Sequence, residues 1–70
     1  MILLEGYVYR DTTNGYKSEK EVVYKWISSD NQYAIVHEVG EPDMQSCYGV
    51  SKDLLTGPIR KANNKDLGIG

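Results

Sequence analysis

The sequence predicts a small all-β protein, and three observations lead to this fold class. Asn14-Gly15, a residue pair well suited to a tight hairpin turn, lies between two segments rich in β-branched and aromatic residues. Residues 33–39 alternate with the two-residue period of a strand. The chain has 70 residues and one cysteine, which leaves room for one domain and for no intramolecular disulfide. We therefore expect a small single-domain antiparallel sheet or a five-stranded barrel.

The first two strands are predicted as one long hairpin, roughly residues 2–13 with residues 16–28. A two-residue loop at Asn14-Gly15 sets Thr13 opposite Tyr16 and, further along, Arg10 opposite Glu19. In this register one face of the hairpin is mainly aliphatic and the other mainly aromatic. The aliphatic face carries Ile2, Leu4, Val8, Val23 and Ile27. The aromatic face carries Leu3, Tyr7, Tyr9, Val22, Tyr24 and Trp26. Gly6 interrupts the first strand, where a glycine often marks a bend or bulge.

Residues 19–27 also fit a helix, which would make the protein α+β. Ser18 and Glu21 match a capping box, and residues 22, 23, 26 and 27 would share one helical face. We favour a strand because Val22, Val23 and Tyr24 are β-formers and because a hairpin turn precedes them.

The remaining segments are shorter. We expect a polar loop over 28–32, a strand over 33–39, a break at 40–43 and a strand over 45–52. One 3₁₀ turn over 53–56 and a short edge strand over 59–62 follow. Residues 1–62 are thus predicted as a single β domain and residues 63–70 as a flexible C-terminal tail. Four strands, one helical turn and a fifth strand are the order of elements in SH3-like small barrels, although no ligand-binding motif of that family is present.

Charge is uneven along the chain, although the net charge is only -2 and the sequence pI is about 5.2. No Lys or Arg occurs between Trp26 and Ser51, a stretch that contains four acids: Asp30, Glu38, Glu41 and Asp43. Four bases follow, namely Lys52, Arg60, Lys61 and Lys65. The N-terminal apolar run stops at Leu4, too short for a signal peptide or a membrane span. We expect a cytoplasmic protein without a membrane partner.

No motif indicates catalysis or metal binding. His37 and Cys47 are the single histidine and the single cysteine, and no local signature supports a reactive pair. The spacing of Glu38, Glu41 and Asp43 does not fit a calcium loop. The glycines do not have the spacing of phosphate-binding loops. We therefore expect a protein that is not an enzyme and holds no cofactor or metal.

The aromatic residues, six Tyr and one Trp with no Phe, are the strongest functional signal. Tyr and Trp combine an apolar body with a polar tip and dominate protein interfaces. We expect a protein-binding module that acts as an inhibitor or adaptor of a larger protein. Its anchors would be Tyr7, Tyr9, Tyr24 and Trp26, and its steering acids Asp30, Glu38, Glu41 and Asp43. Small viral accessory proteins that block a host enzyme or a defence complex share this size and this lack of motifs.

Two other hypotheses use the same aromatic residues. A nucleic-acid-binding small β-barrel would stack bases on Tyr9, Tyr24 and Trp26 beside neighbouring Lys and Arg, but the acidic pI disfavours it. A homodimer would use the aromatic face as its own interface.

Overall fold

The computed structural model describes residues 3–13, 20–40 and 47–68 and confirms the all-β class. Within these ranges it has five antiparallel strands and one 3₁₀ turn, Lys52–Leu54. The strands are β1 (Tyr7–Asp11), β2 (Lys20–Ile27), β3 (Tyr33–Glu38), β4 (Tyr48–Ser51) and β5 (Leu55–Lys61). Within the described ranges, no helix is long and apolar enough to cross a membrane.

The strands form one sheet in the order β4-β3-β2-β1-β5. Strands β1 to β4 follow one another as a meander, and β5 returns to pair with β1 after the 3₁₀ turn. The sheet is strongly curled. This is shown by the Tyr48 hydroxyl on β4, which donates a hydrogen bond of 3.0 Å to the Asp11 carboxylate on the non-adjacent strand β1. Val50 of one edge strand and Leu55 of the other also share one core cluster. This antiparallel arrangement has the order of elements expected from the sequence.

Strand β2 replaces the alternative helix over 19–27, which is wrong for the described residues 20–27. This strand pairs with β1 on one side and with β3 on the other. Val22, Val23 and Tyr24 are buried in succession. Three successive buried residues in a strand require cover on both faces of the sheet, since neighbouring side chains point to opposite faces.

The predicted hairpin register is wrong by two residues. Arg10 lies opposite Glu21, whereas the sequence predicted Glu19. The chain leaves the hairpin after β1, because Asp11 accepts hydrogen bonds from the Thr13 amide and hydroxyl. Thr12 meanwhile donates its amide and its hydroxyl to the Leu54 carbonyl, at 3.0 and 2.7 Å. A shift of two residues keeps every side chain on its expected face of β1. Asn14-Gly15 and Tyr16 lie outside the described residues.

The first strand begins at Tyr7, later than the predicted residue 2. Gly6 precedes it with a φ of +79°, a conformation that favours glycine. Its amide donates to the Tyr24 carbonyl of β2, and its carbonyl accepts from the Ala62 amide after β5, both at 2.9 Å. The chain therefore bends at Gly6, as its position in the sequence suggested.

The core lies on the inner, concave face of the curled sheet. Its buried members are Tyr9, Val22, Tyr24, Ala34, Val36, Val50 and Leu55, with Leu3, Tyr7 and Tyr48 packed against them. Tyr9 and Tyr24 meet edge to face, with ring centroids 6.2 Å apart. The Tyr9 hydroxyl accepts a 2.8 Å hydrogen bond from the Leu4 amide, so this buried polar tip is satisfied.

Part of the outer face is buried as well. The register places Arg60, Val8, Val23 and His37 in one row across four strands. Val8 and Val23 are fully buried and His37 is 3% exposed. Because Arg60 belongs to β5 and His37 to β3, the cover must span most of the sheet.

We infer that the C-terminal turn, residues 62–68, provides this cover, because it is bonded to Arg60 on β5 and to Gly40 after β3. Asp66 is 3% exposed and forms an ion pair with Arg60 on β5. Its backbone carbonyl accepts from the Gly40 amide after β3, at 2.8 Å. The Asn63 and Asp66 side chains each accept the other's backbone amide at 3.0 Å. Residues 63–68, part of the predicted flexible tail 63–70, are therefore bonded to β5 and to the residue that follows Val39.

Strand β5 is longer than the predicted edge strand over 59–62. It starts at Leu55 and contains a cis Gly57-Pro58 bond where its register against β1 shifts. Gly57 has a φ of +131°, and a Cβ there would lie 3.2 Å from the Tyr9 ring. Only glycine lets the strand pass this close to the core.

Candidate functional site

The predicted aromatic face does not form one exposed surface. Tyr9 and Tyr24 are core residues, with exposures of 0% and 5%, and Tyr7 is half-buried against them. Treating Tyr9 and Tyr24 as exposed contact residues is therefore wrong for this chain. The missing Phe explains their place, since tyrosines take the positions of large apolar core residues.

Trp26 is separated from these tyrosines by a β-bulge. Tyr24 lies opposite Val36, whereas Trp26 lies opposite Ile35, so an irregularity at Lys25 occupies the interval. Because neighbouring residues on β3 point to opposite faces, Tyr24 and Trp26 do so too. Tyr24 enters the core, and Trp26 reaches the outer face with 40% of its surface exposed.

Trp26 belongs to an outer aromatic patch, which we define as Trp26, Tyr33, Ile35 and Gly49. Trp26, Ile35 and Gly49 form one row across β2, β3 and β4. Tyr33 lies on the same face of β3 as Ile35, two residues away, and is 47% exposed. A Cβ on Gly49 would meet Tyr33 Cβ at 3.7 Å and Ile35 Cδ1 at 3.8 Å.

Tyr33 is the contact candidate that the sequence analysis missed. Its alternation with Ile35 and His37 was visible, but nothing in the sequence showed that Trp26 turns to the same face. Finding Tyr33 would have required a sequence signal for the bulge at Lys25, and no turn residue or glycine marks that bulge.

Asp30 lies in the turn that joins the strands of Trp26 and Tyr33. It accepts hydrogen bonds from the Ser28 hydroxyl and from the Gln32 amide. These bonds, that from Ser28 first, hold the pKa of Asp30 below its usual value, so the exposed carboxylate is ionised at neutral pH. Tyr33 is fixed by the same turn, through its amide to Ser28 Oγ at 3.0 Å and its carbonyl to the Ser28 amide at 2.7 Å.

Of the other predicted steering acids, the structure describes Glu38, which does not lie near Asp30. Glu38 lies at the opposite end of β3, where it forms a 3.0 Å ion pair with Lys20. Glu41 and Asp43 lie outside the described residues. Of the four acids, the structure thus places Asp30 beside the strands of the patch.

Asp11 and Tyr48 form the most strongly perturbed polar pair. Burial raises the pKa of Asp11, but hydrogen bonds from Thr13 and Tyr48 and the charge of Lys20 together lower it below its usual value. Burial, then the hydrogen bond and charge of Asp11, raise the pKa of Tyr48 well above its usual value. This pair joins β1 to β4 and has a structural role.

The two candidate reactive residues have ordinary surroundings. His37 is buried, and its Nδ1 donates to the Glu38 carbonyl at 2.9 Å. Cys47 is half-buried and directly precedes β4. Over residues 3–13, 20–40 and 47–68, no group of three or more His, Cys, Asp or Glu is placed to hold a metal ion.

Comparison of the chain with protein-family models, with curated proteins and with solved structures finds no match in any of the three.

Proposed function

We propose that this chain is a small non-enzymatic protein-binding module that acts as an inhibitor or adaptor of a larger protein, with the outer aromatic patch as its contact surface. The observation that carries the proposal is the exposure of Trp26 and Tyr33 on the same face of adjacent strands. Large aromatic side chains on a rigid strand lose little conformational freedom on binding, and Trp and Tyr are the commonest hot-spot residues.

The partner that fits this surface presents an apolar residue flanked by basic residues. No Lys or Arg occurs between Trp26 and Ser51, a stretch that includes all of β3 and nearly all of β4. The ionised Asp30 lies in the β2–β3 turn, at one end of the patch. A basic rim on the partner would therefore meet negative charge, which speeds association.

Ion pairing of the basic residues favours a protein partner over nucleic acid. Lys20 is paired with Glu38, and Arg60 is paired with Asp66 and lies 3.8 Å from Glu21. Binding to a phosphate backbone needs basic groups free to replace counterions. These pairs take two of the eight bases of a chain with ten acids.

The test is capture of partners from the native host's lysate by the tagged chain, with and without nuclease. We expect one stoichiometric protein that survives nuclease and is lost with the double variant Trp26→Ala, Tyr33→Ala. Leu54→Ala is the matched control, because Leu54 is also a large exposed apolar residue but lies in the 3₁₀ turn.

The affinity of the chain and its variants is then measured with the purified partner. We expect Trp26→Ala to weaken binding by about 2 kcal/mol or more, as at an interface hot spot. Capture that disappears with nuclease would contradict the proposal and favour the nucleic-acid hypothesis. Equal capture by the double variant and by the wild type would reject the patch as the contact surface.

A further inference from the structure

The two edges of the sheet differ in their protection against strand pairing. Strand β5 carries Pro58, Arg60 and Lys61, and a proline and positive charges are the usual devices that keep another strand from an edge. Strand β4, the opposite edge, reads Tyr48, Gly49, Val50 and Ser51 and contains neither a charge nor a proline. Among the described residues, β4 has a strand partner on one side only.

The pairing of β4 with β3 shows which backbone groups face away from the sheet. The Lys52 amide donates to the Gln32 carbonyl at 3.2 Å, in continuation of the register that sets Tyr33 opposite Ser51. In an antiparallel ladder, hydrogen-bonded pairs alternate with pairs that do not bond each other. Residues 48, 50 and 52 therefore face β3, and Gly49 and Ser51 direct their N–H and C=O groups outward.

We propose that the β4 edge pairs antiparallel with the same edge of a second copy of this chain, so that two curled sheets join across a two-fold axis. The outward groups of Gly49 and Ser51 in one copy bond those of the other. This inference concerns the edge of the sheet and does not depend on the outer aromatic patch having a separate partner.

A second copy fits this edge because β4 is uncharged. Two β4 strands approach each other with no like charges along the seam, whereas two β5 strands would oppose Arg60 and Lys61 to their own copies. Gly49 also leaves the outer side of the seam free of a side chain. The flanking Ile35 side chains, whose Cδ1 would lie 3.8 Å from a Cβ added at Gly49, therefore approach the axis from both copies.

Pairing in this way doubles the proposed binding surface. Each outer aromatic patch ends at β4, so the two-fold axis sets two patches side by side on one face of a joined sheet. The seam itself is short, because β4 has four residues. Association should therefore depend on concentration, as expected for a small interface.

The decisive variant is Ser51→Pro, with Ser51→Ala as its matched control. Ser51 has a φ of -54°, which proline adopts without strain, and its amide does not bond β3. Proline removes one outward donor and blocks the edge, whereas alanine removes only the hydroxyl. In sedimentation equilibrium, we expect the apparent mass of the wild type and of Ser51→Ala to increase with concentration from 7.9 kDa toward twice that mass. Ser51→Pro should stay at the monomer mass.

A second pair of variants tests the same seam through charge. Gly49→Lys places like charges on both sides of the axis, and Gly49→Ala is its control, since a Cβ there makes only ordinary contacts. We expect Gly49→Lys to be monomeric and Gly49→Ala to dimerise; this pair decides the question if Ser51→Pro does not fold. A wild type that remains at 7.9 kDa at millimolar concentration would overturn the proposal, as would dimerisation of Gly49→Lys.

Discussion

The two halves of the sheet treat their outer faces in opposite ways. In the half that contains the row of Arg60, Val8, Val23 and His37, the outer face is covered, and Val8 and Val23 are fully buried. In the half next to the β2–β3 turn, Trp26 of β2 and Tyr33 of β3 remain exposed on that face. The two edges of the sheet differ as well, because β5 carries Pro58 and two positive charges, whereas β4 carries neither a proline nor a charge.

This difference shows that strand pattern alone does not decide which face becomes core. The valines of the covered half and the aromatic residues of the open half are all apolar side chains that point to the outer face. What separates them is Asp66, a buried polar residue that bonds Arg60 on β5 and the Gly40 amide beyond β3. The chain thus covers one half itself and leaves the other available.

The largest expected effect is on stability, which should fall much more when a core tyrosine is replaced by alanine than when the exposed tryptophan is. Tyr9→Ala removes a fully buried ring, its contact with Tyr24 and the acceptor of the Leu4 amide. We expect a loss of about 3–5 kcal/mol in the free energy of unfolding, close to the whole stability of a small domain. Trp26→Ala should cost less than about 1.5 kcal/mol, since its side chain is already partly in water. Urea unfolding followed by circular dichroism measures both, and equal losses would refute the division.

The next effect concerns the covered half. Asp66→Ala leaves the Arg60 guanidinium and the Asn63 amide without their buried acceptor. We expect a loss of about 1–3 kcal/mol in the free energy of unfolding, together with faster amide exchange at Val8 and Val23. Lys65→Ala, at an exposed neighbouring position of the turn, should change neither quantity. Unchanged exchange in Asp66→Ala would show that the turn does not cover the valines.

A pH-dependent effect tests how the sheet is closed. The pKa of Asp11 is lower in the folded chain than in the unfolded chain, so its contribution is present above the ordinary carboxyl pKa and is lost as the pH falls through the folded value. We expect Asp11→Asn to lose about 1–3 kcal/mol of stability at pH 7, because Asn is uncharged and has one acceptor oxygen in place of the two carboxylate oxygens that accept from Thr13 and Tyr48. The difference from the wild type should shrink below about pH 4. A difference that is independent of pH would contradict this role of the carboxylate.

The smallest expected effect lies in the open half. Asp30→Asn keeps the shape of the turn residue and removes its charge. With the captured partner, we expect a several-fold slower association at low salt and no difference at high salt, because only steering is lost. Stopped-flow association at two ionic strengths measures this. A change confined to dissociation would show that Asp30 makes a direct contact.

Much of the fold followed from the sequence. Five strands, a 3₁₀ turn before the last of them and a bend at Gly6 are local consequences of β-formers and turn residues, and the structure contains all of them. The hairpin register failed because Thr12 and Asp11 bind groups distant in sequence or within their own turn, which a two-residue loop does not anticipate.

The site followed less well, for two physical reasons. The bulge at Lys25 reverses the face of Trp26, and no local signal marks it, because the residues around it have ordinary strand propensity. The C-terminal turn looked like a tail because its sequence is polar. Its attachment depends on Asp66, whose buried carboxylate pairs with Arg60 on β5 and whose backbone carbonyl accepts from the Gly40 amide after β3.

The most direct test of the central claim is hydrogen–deuterium exchange of the chain with and without its captured partner. We expect slower exchange on binding at residues 26, 33–35 and 48–51, which carry the outer aromatic patch. We expect unchanged exchange in β1, β5 and residues 62–68. Protection confined to β5 and the C-terminal turn would contradict the account, because the partner would then bind the half that the chain covers itself.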